Sequence, residues 1–130
     1  MMKTANNELI LFYNSNDPQD RAILGYAKSV KDHVVKEIDV QTFTFTKTQL
    51  KLISHMLDMP LEELVDKKSK TYLQNYKGAS LTEEGLLTAL RQNSDLLTTP
   101  IALYNDQGEV ISSSYDLIKE GMFAAPNGNK

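Results

Sequence analysis

One stretch near the N-terminus, residues 9–21, constrains the fold more than any other. It opens with the apolar run LILFY at residues 9–13, which is typical of a strand buried on both faces. The polar residues 14–16 interrupt the run, and Asp17 and Pro18 then supply an N-cap and a first helical residue. This pattern predicts a site at the helix N-terminus, because the free N–H groups there attract anions and lower the pKa of thiols.

The composition is that of an ordinary soluble domain, with 41% hydrophobic and 24% charged residues in 130. We expect one domain over residues 1–120 and a flexible tail over residues 121–130, which are rich in Gly, Asn and Ala. No apolar run approaches the roughly 20 residues of a membrane span. The first seven residues are polar and do not resemble a secretory signal, so a cytoplasmic location is predicted.

Charge and cysteine content exclude several functions. A net charge of -3 gives no overall attraction to nucleic acid. The chain has no cysteine, which excludes disulfides, thiolate metal sites and redox chemistry by a thiol of its own. His33 and His55 are too few and too far apart in sequence to predict a metal site.

The first half of the chain predicts a strand, a helix and a second, parallel strand. The first strand covers residues 8–13, and the helix runs from Pro18 to about Val30 with Ile23 and Ala27 on its apolar stripe. The β-branched segment 33–38 predicts the second strand. A strand–helix–strand unit of this length is a right-handed crossover, so the two strands should be parallel.

Helices fill the middle of the chain. Thr46 and Gln49 form a capping box for one helix, Pro60 begins a short second one, and residues 71–76 predict a helical turn. Ser80 and Glu83 are predicted to cap a further helix that ends near residue 93. The residues expected to face inward in these helices are Leu50, Ile53, Leu57, Leu61, Leu64, Val65, Leu86, Leu87 and Leu90.

The last part predicts a β-hairpin followed by a short helix. Residues 96–104 form the first strand, with Pro100 near its start, where a proline removes no hydrogen bond from the strand's middle. Residues 105–108 form the turn and residues 109–112 the returning strand. Ser114 is then expected to cap a helix over residues 115–119.

The order β-α-β, helical insert, β-β-α is that of thioredoxin-like α/β folds, which have a mixed four-stranded sheet. More specifically, the chain resembles the arsenate reductase and Spx family over residues 8–119. Three segments carry the resemblance: the opening strand and loop, the sequence KSKTY at residues 68–72, and the block 86–101 with its LLTTPI ending. The turn at residues 105–109 also fits the family's hairpin.

The chain departs from the family's pattern at the positions that carry its chemistry. The alignment places Asp17 where the family has its nucleophilic Cys and Asp20 at the second position of that motif. Thr99 replaces the Arg before the family's cis-proline, and Lys68 replaces the Arg of the basic segment. The three serines 112–114 offer no later Arg. The resemblance therefore implies that the nucleophile and the bidentate oxyanion ligands are both missing.

Asp17, Asn14 and Arg21 are candidates for a role at the loop. A carboxylate at a helix N-terminus is stabilised as the anion and is a weak base, so a helix cap is favoured over an aspartyl nucleophile for Asp17. Arg21 is predicted to pair with Asp17 or Asp20 at the surface, the alternative being a remnant contact to an anion. Asn14 matches the family's Asn at the end of the first strand.

Two other segments are candidate binding sites. Lys67, Lys68 and Lys70 form a basic cluster, which is either a solvated loop or a docking patch for an acidic partner. The resemblance implies that the Thr99–Pro100 peptide is cis. In that fold the residue before the proline offers its backbone N–H and C=O to an extended peptide or to glutathione, although the proline is equally well explained by structure alone.

These observations predict a catalytically inactive arsenate reductase/Spx-like protein that works as an intracellular protein-binding or regulatory module. One alternative is a glutathione-dependent reductase or transferase that uses the groove without a protein thiol, and another is an anion-binding protein. No metal is predicted, and no cofactor apart from glutathione under that alternative. The expected partner is another protein at the Thr99–Pro100 groove or the Lys67–Lys70 segment, and a homodimer is compatible with the sequence.

Overall fold

The computed structural model describes residues 8–30, 33–113 and 116–117. The strands are β1 (Glu8–Tyr13), β2 (Val34–Asp39), β3 (Ile101–Tyr104) and β4 (Gln107–Val110). The helices are α1 (Pro18–Ser29), α2 (Lys47–Leu57) and α3 (Glu83–Gln92). Two 3-10 turns (Leu61–Leu64 and Ser94–Leu96) and one π turn (Tyr72–Tyr76) complete the elements. In this part of the chain no helix has the length and apolar character needed to cross a membrane.

The four strands form one mixed sheet in the order β2-β1-β3-β4. β1 pairs in parallel with β2, while β3 pairs antiparallel with both β1 and β4. The predicted mixed four-stranded sheet is therefore confirmed, as is the parallel crossover through α1. β2 begins one residue later than the sequence predicted, at Val34.

β1 is buried on both faces, as its apolar run predicts. Successive side chains on a strand point to opposite faces of the sheet. Ile10 and Phe12 accordingly pack with α2 and α3 on one face, and Leu9 and Leu11 pack with α1 on the other. The strand that leads into the candidate site is thus held between two apolar layers.

Two helix starts follow the sequence signals and a third does not. The Asp17 carboxylate caps α1 by accepting from the N–H groups of Gln19 (2.8 Å) and Asp20 (3.3 Å). Thr46 forms the predicted capping box with Gln49 at the start of α2. The predicted Ser80 cap is wrong, because α3 is capped by Thr82, which accepts from the N–H of Gly85 at 3.1 Å. This register places two acidic residues in the first turn, where the helix dipole favours them.

The segment around Pro100 differs from the predicted long strand. β3 begins only at Ile101, and the residues before it form the 3-10 turn Ser94–Leu96 and an isolated bridge between Leu97 and Val65. Val65 thus pairs as a short extended segment instead of continuing the helical turn. The Thr99–Pro100 peptide is cis, as the resemblance implied.

The hairpin turn is shorter than the sequence predicted. It consists of Asn105 and Asp106 alone, both with positive φ (47° and 62°), as the two-residue turns of hairpins require. β4 therefore begins at Gln107 and not at residue 109. Of the predicted last helix only Asp116 and the buried Leu117 are described, and both are helical. The other residues of that helix and the predicted tail, 121–130, lie outside the described residues.

The capping box of α2 provides a first stability prediction. Replacing Thr46 with alanine removes an acceptor for the N–H of Gln49, and we expect the free energy of unfolding to fall by about 1 kcal/mol. Thr48→Ala in the same exposed first turn is the matched control, and it should change stability by less than about 0.5 kcal/mol. Equal losses in the two variants during urea unfolding would contradict a capping role.

Candidate binding site at the β1–α1 loop and the cis-proline

The loop between β1 and α1 is fixed by hydrogen bonds from several directions. The N–H of Asn14 donates to Oδ2 of Asp20 at 2.9 Å, and the N–H of Ser15 donates to Oδ1 of Asp39 at 3.2 Å. Nη1 of Arg21 donates to the carbonyl oxygen of Ser15 at 2.7 Å. Hydrogen bonds within the chain thus fix the geometry of the loop.

Arg21 has a different role from the predicted one. Its guanidinium holds the loop carbonyl of Ser15, and the ion pairs formed between described residues do not include Arg21 with Asp17 or Asp20. The predicted surface ion pair is therefore wrong. A donor to a backbone carbonyl needs no acidic neighbour, so the nearby aspartates in the sequence were a misleading signal.

Asn14 also stabilises the loop from within. Its side-chain Oδ1 accepts from the N–H of Asn16 at 2.8 Å and from Nε2 of Gln41 at 3.0 Å. The Gln41 contact ties the loop to the end of β2. Both contacts are structural, and they leave the predicted ligand-binding role of Asn14 as a hypothesis.

Asp39 at the end of β2 supports the same loop. Although burial by itself would raise its pKa, hydrogen bonds from Ser15 and Gln41 stabilise the carboxylate and lower the pKa below its usual range. Asp39 is therefore suited to act as a fixed anionic acceptor for the N–H groups around the loop.

Asp20 is the unexpected feature of this region. Only 2% of it is exposed, and it is the one charged residue among those described that is buried in the core. Its Oδ2 accepts from the hydroxyl of Thr99 at 2.6 Å as well as from the N–H of Asn14. The carboxylate therefore joins the N-terminus of α1 to the residue before the cis-proline.

Burial raises the pKa of Asp20, and the charges of Asp17 and Asp66 raise it further. The hydrogen bonds from Thr99 and Asn14 act in the opposite direction but do not cancel the effect of burial. The sequence contained a signal for this burial: position 20 lies on the same helical stripe as the buried Ile23 and Ala27.

Thr99 has both of its backbone polar groups available. The preceding N–H, of Thr98, donates to the carbonyl of Leu64 at 2.7 Å, and the following carbonyl, of Pro100, accepts from the N–H of Ile111 at 2.9 Å. The N–H and the C=O of Thr99 itself form no hydrogen bond with any residue that the structure describes. Thr99 as a whole is half-buried, so part of the residue is accessible at the surface of the domain.

The basic segment has a mixed charge in three dimensions. Lys67 and Lys68 line a shallow concave surface with Thr98, and three carboxylates share that surface: Glu62, Glu63 and Asp66. Lys67 lies 3.9 Å from Glu62, whereas Lys70 is exposed and does not line the surface. The interpretation as a purely basic cluster thus needs correction, because carboxylates from the preceding turn fold onto the same surface.

The structure brings some of the predicted residues together and leaves others apart. Asn14, Asp20 and Thr99 are linked directly, Pro100 adjoins them, and Lys67 and Lys68 lie along the strand segment that leads to Thr99. Throughout the described ranges no group of three His, Asp or Glu side chains is placed to hold a metal ion. What this region offers chemically is a rigid surface with the backbone N–H and C=O of Thr99 beside a buried carboxyl.

No protein-family model and no curated protein sequence matches the chain. Solved structures do match it. The arsenate reductase from Vibrio cholerae aligns with a TM-score of 0.77 over 88% of this chain and 98% of its own, at 15% identity. An arsenate reductase (ArsC) related protein from Brucella melitensis aligns with a TM-score of 0.60 over 90% of this chain and 98% of its own, at 11% identity.

The chain has the arsenate reductase fold. At these identities the likeness establishes the fold alone, and it confirms the thioredoxin-like α/β architecture expected from the order of elements. In this arsenate reductase fold the N-terminus of α1 holds the carboxylates of Asp17 and Asp20, and the chain contains no cysteine. The thioredoxin-like fold is thus present in a chain without a thiol of its own.

Proposed function

We propose that this chain is a non-catalytic, cytoplasmic protein of the arsenate reductase/Spx type that binds an extended segment of a partner protein beside Thr99 and Pro100. The observation that supports it is the pair of backbone groups on Thr99, which form no hydrogen bond with the described residues and lie next to a cis-proline. The hydrogen bond from the Thr99 hydroxyl to Asp20 holds this residue in place. An extended peptide laid along this segment would donate to the C=O of Thr99 and accept from its N–H, as an added strand does.

The arrangement around α1 favours binding over catalysis. Asp17 fills the helix N-terminus with its own carboxylate, and Oδ2 of Asp20 already accepts two hydrogen bonds. Neither group has the character of a thiolate nucleophile, and their negative charge disfavours an anionic substrate such as glutathione at this place. The same charges disfavour the alternative of an anion-binding protein.

Two backbone hydrogen bonds are worth only about 0.5–1.5 kcal/mol each, so they cannot select a partner by themselves. Lys68 and Lys70 are exposed, and neither forms an ion pair with the residues described. These two cations are available to an acidic side chain of the bound segment. In this proposal the Lys67–Lys70 segment therefore selects the partner by its acidic side chains, and the backbone of Thr99 positions the bound peptide.

A photoreactive residue at Thr98 would identify the partner in lysate. Thr98 adjoins the proposed contact, and the same residue placed at Lys36 on the exposed edge strand β2 is the control. We expect a discrete crosslinked protein from position 98 that is missing from position 36. Arsenate or disulfide reduction above background by the purified chain, with glutathione or thioredoxin as the reductant, would contradict the non-catalytic part of the proposal.

Binding of the identified partner should then depend on charge. We expect the double change Lys68→Glu and Lys70→Glu to weaken binding about tenfold, which corresponds to about 1.4 kcal/mol, because it places carboxylates opposite the partner's acidic groups. Lys36→Glu alters an exposed lysine elsewhere and should leave the Kd unchanged. Isothermal titration with purified partner measures both, and an equal effect of the two changes would argue against a specific surface.

A further inference from the structure

A cavity of about 130 Å³ lies under the π turn, away from Thr99. It is partly open to solvent, and part of its wall is formed by apolar and aromatic side chains: Val65, Tyr72, Tyr76, Leu86, Ala89 and Leu96. Glu62 and Lys67 also line it. The cavity shares Glu62, Val65 and Lys67 with the concave surface beside Thr98. The proposed backbone contact at Thr99 does not involve the cavity, so a ligand bound in it would be a function beyond the proposed one.

The wall that carries the two tyrosines is held in place by its own contacts. The N–H of Lys77 donates to the carbonyl of Tyr72 at 2.9 Å, closing the π turn. The N–H of Tyr72 donates to Oγ of Ser69 at 3.1 Å, and the hydroxyl of Thr71 donates to Asp95 at 2.9 Å. Single π turns are rare and are found frequently at functional sites. Here the turn places Tyr72 and Tyr76 in the lining of the cavity.

The volume accommodates a ligand of one ring. A cavity of about 150 Å³ is known to accommodate benzene, so about 130 Å³ is enough for a single six-membered ring. Aromatic walls favour an aromatic ligand, since ring–ring contacts contribute about 0.5–1.5 kcal/mol beyond apolar burial. A saturated ring of the same size lacks that contribution.

The charges and hydroxyl groups that line the cavity indicate which polar group a ligand would carry. Glu62 and Lys67 have opposite charges 3.9 Å apart, so neither sign of ligand charge is favoured over the other. In the described structure the hydroxyl of Tyr72 has no hydrogen-bond partner, and that of Tyr76 has only a long one, 3.4 Å from Nδ2 of Asn93. We infer that this cavity binds a neutral, single-ring aromatic alcohol, a ligand of the phenol class.

Methyl NMR of the full chain, titrated with phenol, tests this assignment. We expect saturable shifts confined to the methyl groups that line the cavity, which belong to Val65, Ala79, Leu81, Leu86, Ala89 and Leu96. Benzoate, benzylamine and cyclohexanol should each bind more weakly than phenol, because the first two carry a charge and the third lacks the aromatic ring. Shifts that do not saturate, or tighter binding by any of these three probes, would overturn the assignment.

A cavity-filling variant provides the matched test. Ala89→Leu places three additional carbons into the space, and we expect the affinity for phenol to fall at least tenfold. Thr88→Leu enlarges the neighbouring exposed residue of α3 outside the cavity and should bind phenol like the wild type. If Ala89→Leu fails to fold, the location of the wild-type shifts still decides the question. Unchanged affinity in a folded Ala89→Leu chain would place phenol elsewhere and refute the proposal.

Discussion

Replacing Phe12 with alanine should lower the free energy of unfolding by about 3–5 kcal/mol. Phe12 is fully buried in β1, and its ring centroid lies 5.3 Å from that of Phe45 and 6.3 Å from that of Phe43. The latter two rings meet edge to face at 4.9 Å. The substitution therefore removes the largest fully buried side chain of the strand and one of the three rings of an aromatic cluster, which leaves a cavity in the core.

Urea unfolding followed by circular dichroism measures this loss. Phe12→Leu is the graded control, since it retains most of the buried volume and should cost clearly less than Phe12→Ala. Domains of this kind are stable by only about 5–15 kcal/mol, so the alanine variant is expected to be marginal at room temperature. A loss below about 1 kcal/mol in Phe12→Ala would mean that the two sides of the sheet are packed less closely around β1 than the contacts indicate.

The same strand explains why much of the fold could be predicted from sequence. Its apolar run has one physical interpretation, a strand covered on both faces, and that burial is observed. Asp17 and Thr46 each satisfy backbone donors that their own helix leaves free, so the local sequence determines those helix starts. Predictions succeeded where the energetics are local.

Predictions failed where two local solutions compete. Ser80 and Thr82 both precede plausible helix starts, and the choice of Thr82 depends on how α3 packs. Similarly, the apolar residues before Pro100 form a bridge with Val65, a pairing across more than thirty residues of chain that no local pattern specifies. The hairpin turn was misjudged because Gln107 and Gly108 resemble turn residues yet continue β4.

In the candidate site, too, features that depend on distant contacts could not be predicted from sequence. The cis peptide at Thr99–Pro100 was implied by the resemblance and is observed. The link from Asp20 to Thr99 joins residues 79 positions apart, so only the folded chain reveals it. The mixed charge around Lys67 is local by contrast, because the 3-10 turn brings the nearby Glu62 beside it. Contacts between distant segments determine what the site can do, and sequence reasoning reaches them least well.

Asp20 leads to a prediction about pH. Burial raises its pKa in the folded chain above the ordinary value that it has when unfolded. Its proton therefore stabilises the fold fully below the unfolded pKa, near 4, and this contribution is lost as the pH rises through the folded pKa. Asp39 has the opposite dependence, since its lowered pKa gives a contribution that is present above the unfolded value and lost as the pH falls.

Asp20→Asn separates the two contributions. Asparagine retains an acceptor for Asn14 and Thr99 but carries no charge, so the loss of stability with rising pH should disappear, while the Asp39 contribution stays in both proteins. The difference in unfolding free energy between variant and wild type should therefore shift in favour of the variant from pH 4 upwards. Urea unfolding at intervals from pH 3 to pH 8 gives this difference directly, and a difference that does not change with pH would refute the buried titration.

Thr99→Val is the companion variant, because it removes the hydroxyl that donates to Asp20 while retaining a β-branched side chain beside the cis-proline. That hydrogen bond lowers the pKa of Asp20, so its loss should move the pH interval over which stability declines to higher values. A shift in this direction would demonstrate that the residue before the proline and the start of α1 are coupled through one carboxyl group. The coupling matters for the proposed peptide contact, because the group that positions Thr99 would then be the one that senses pH.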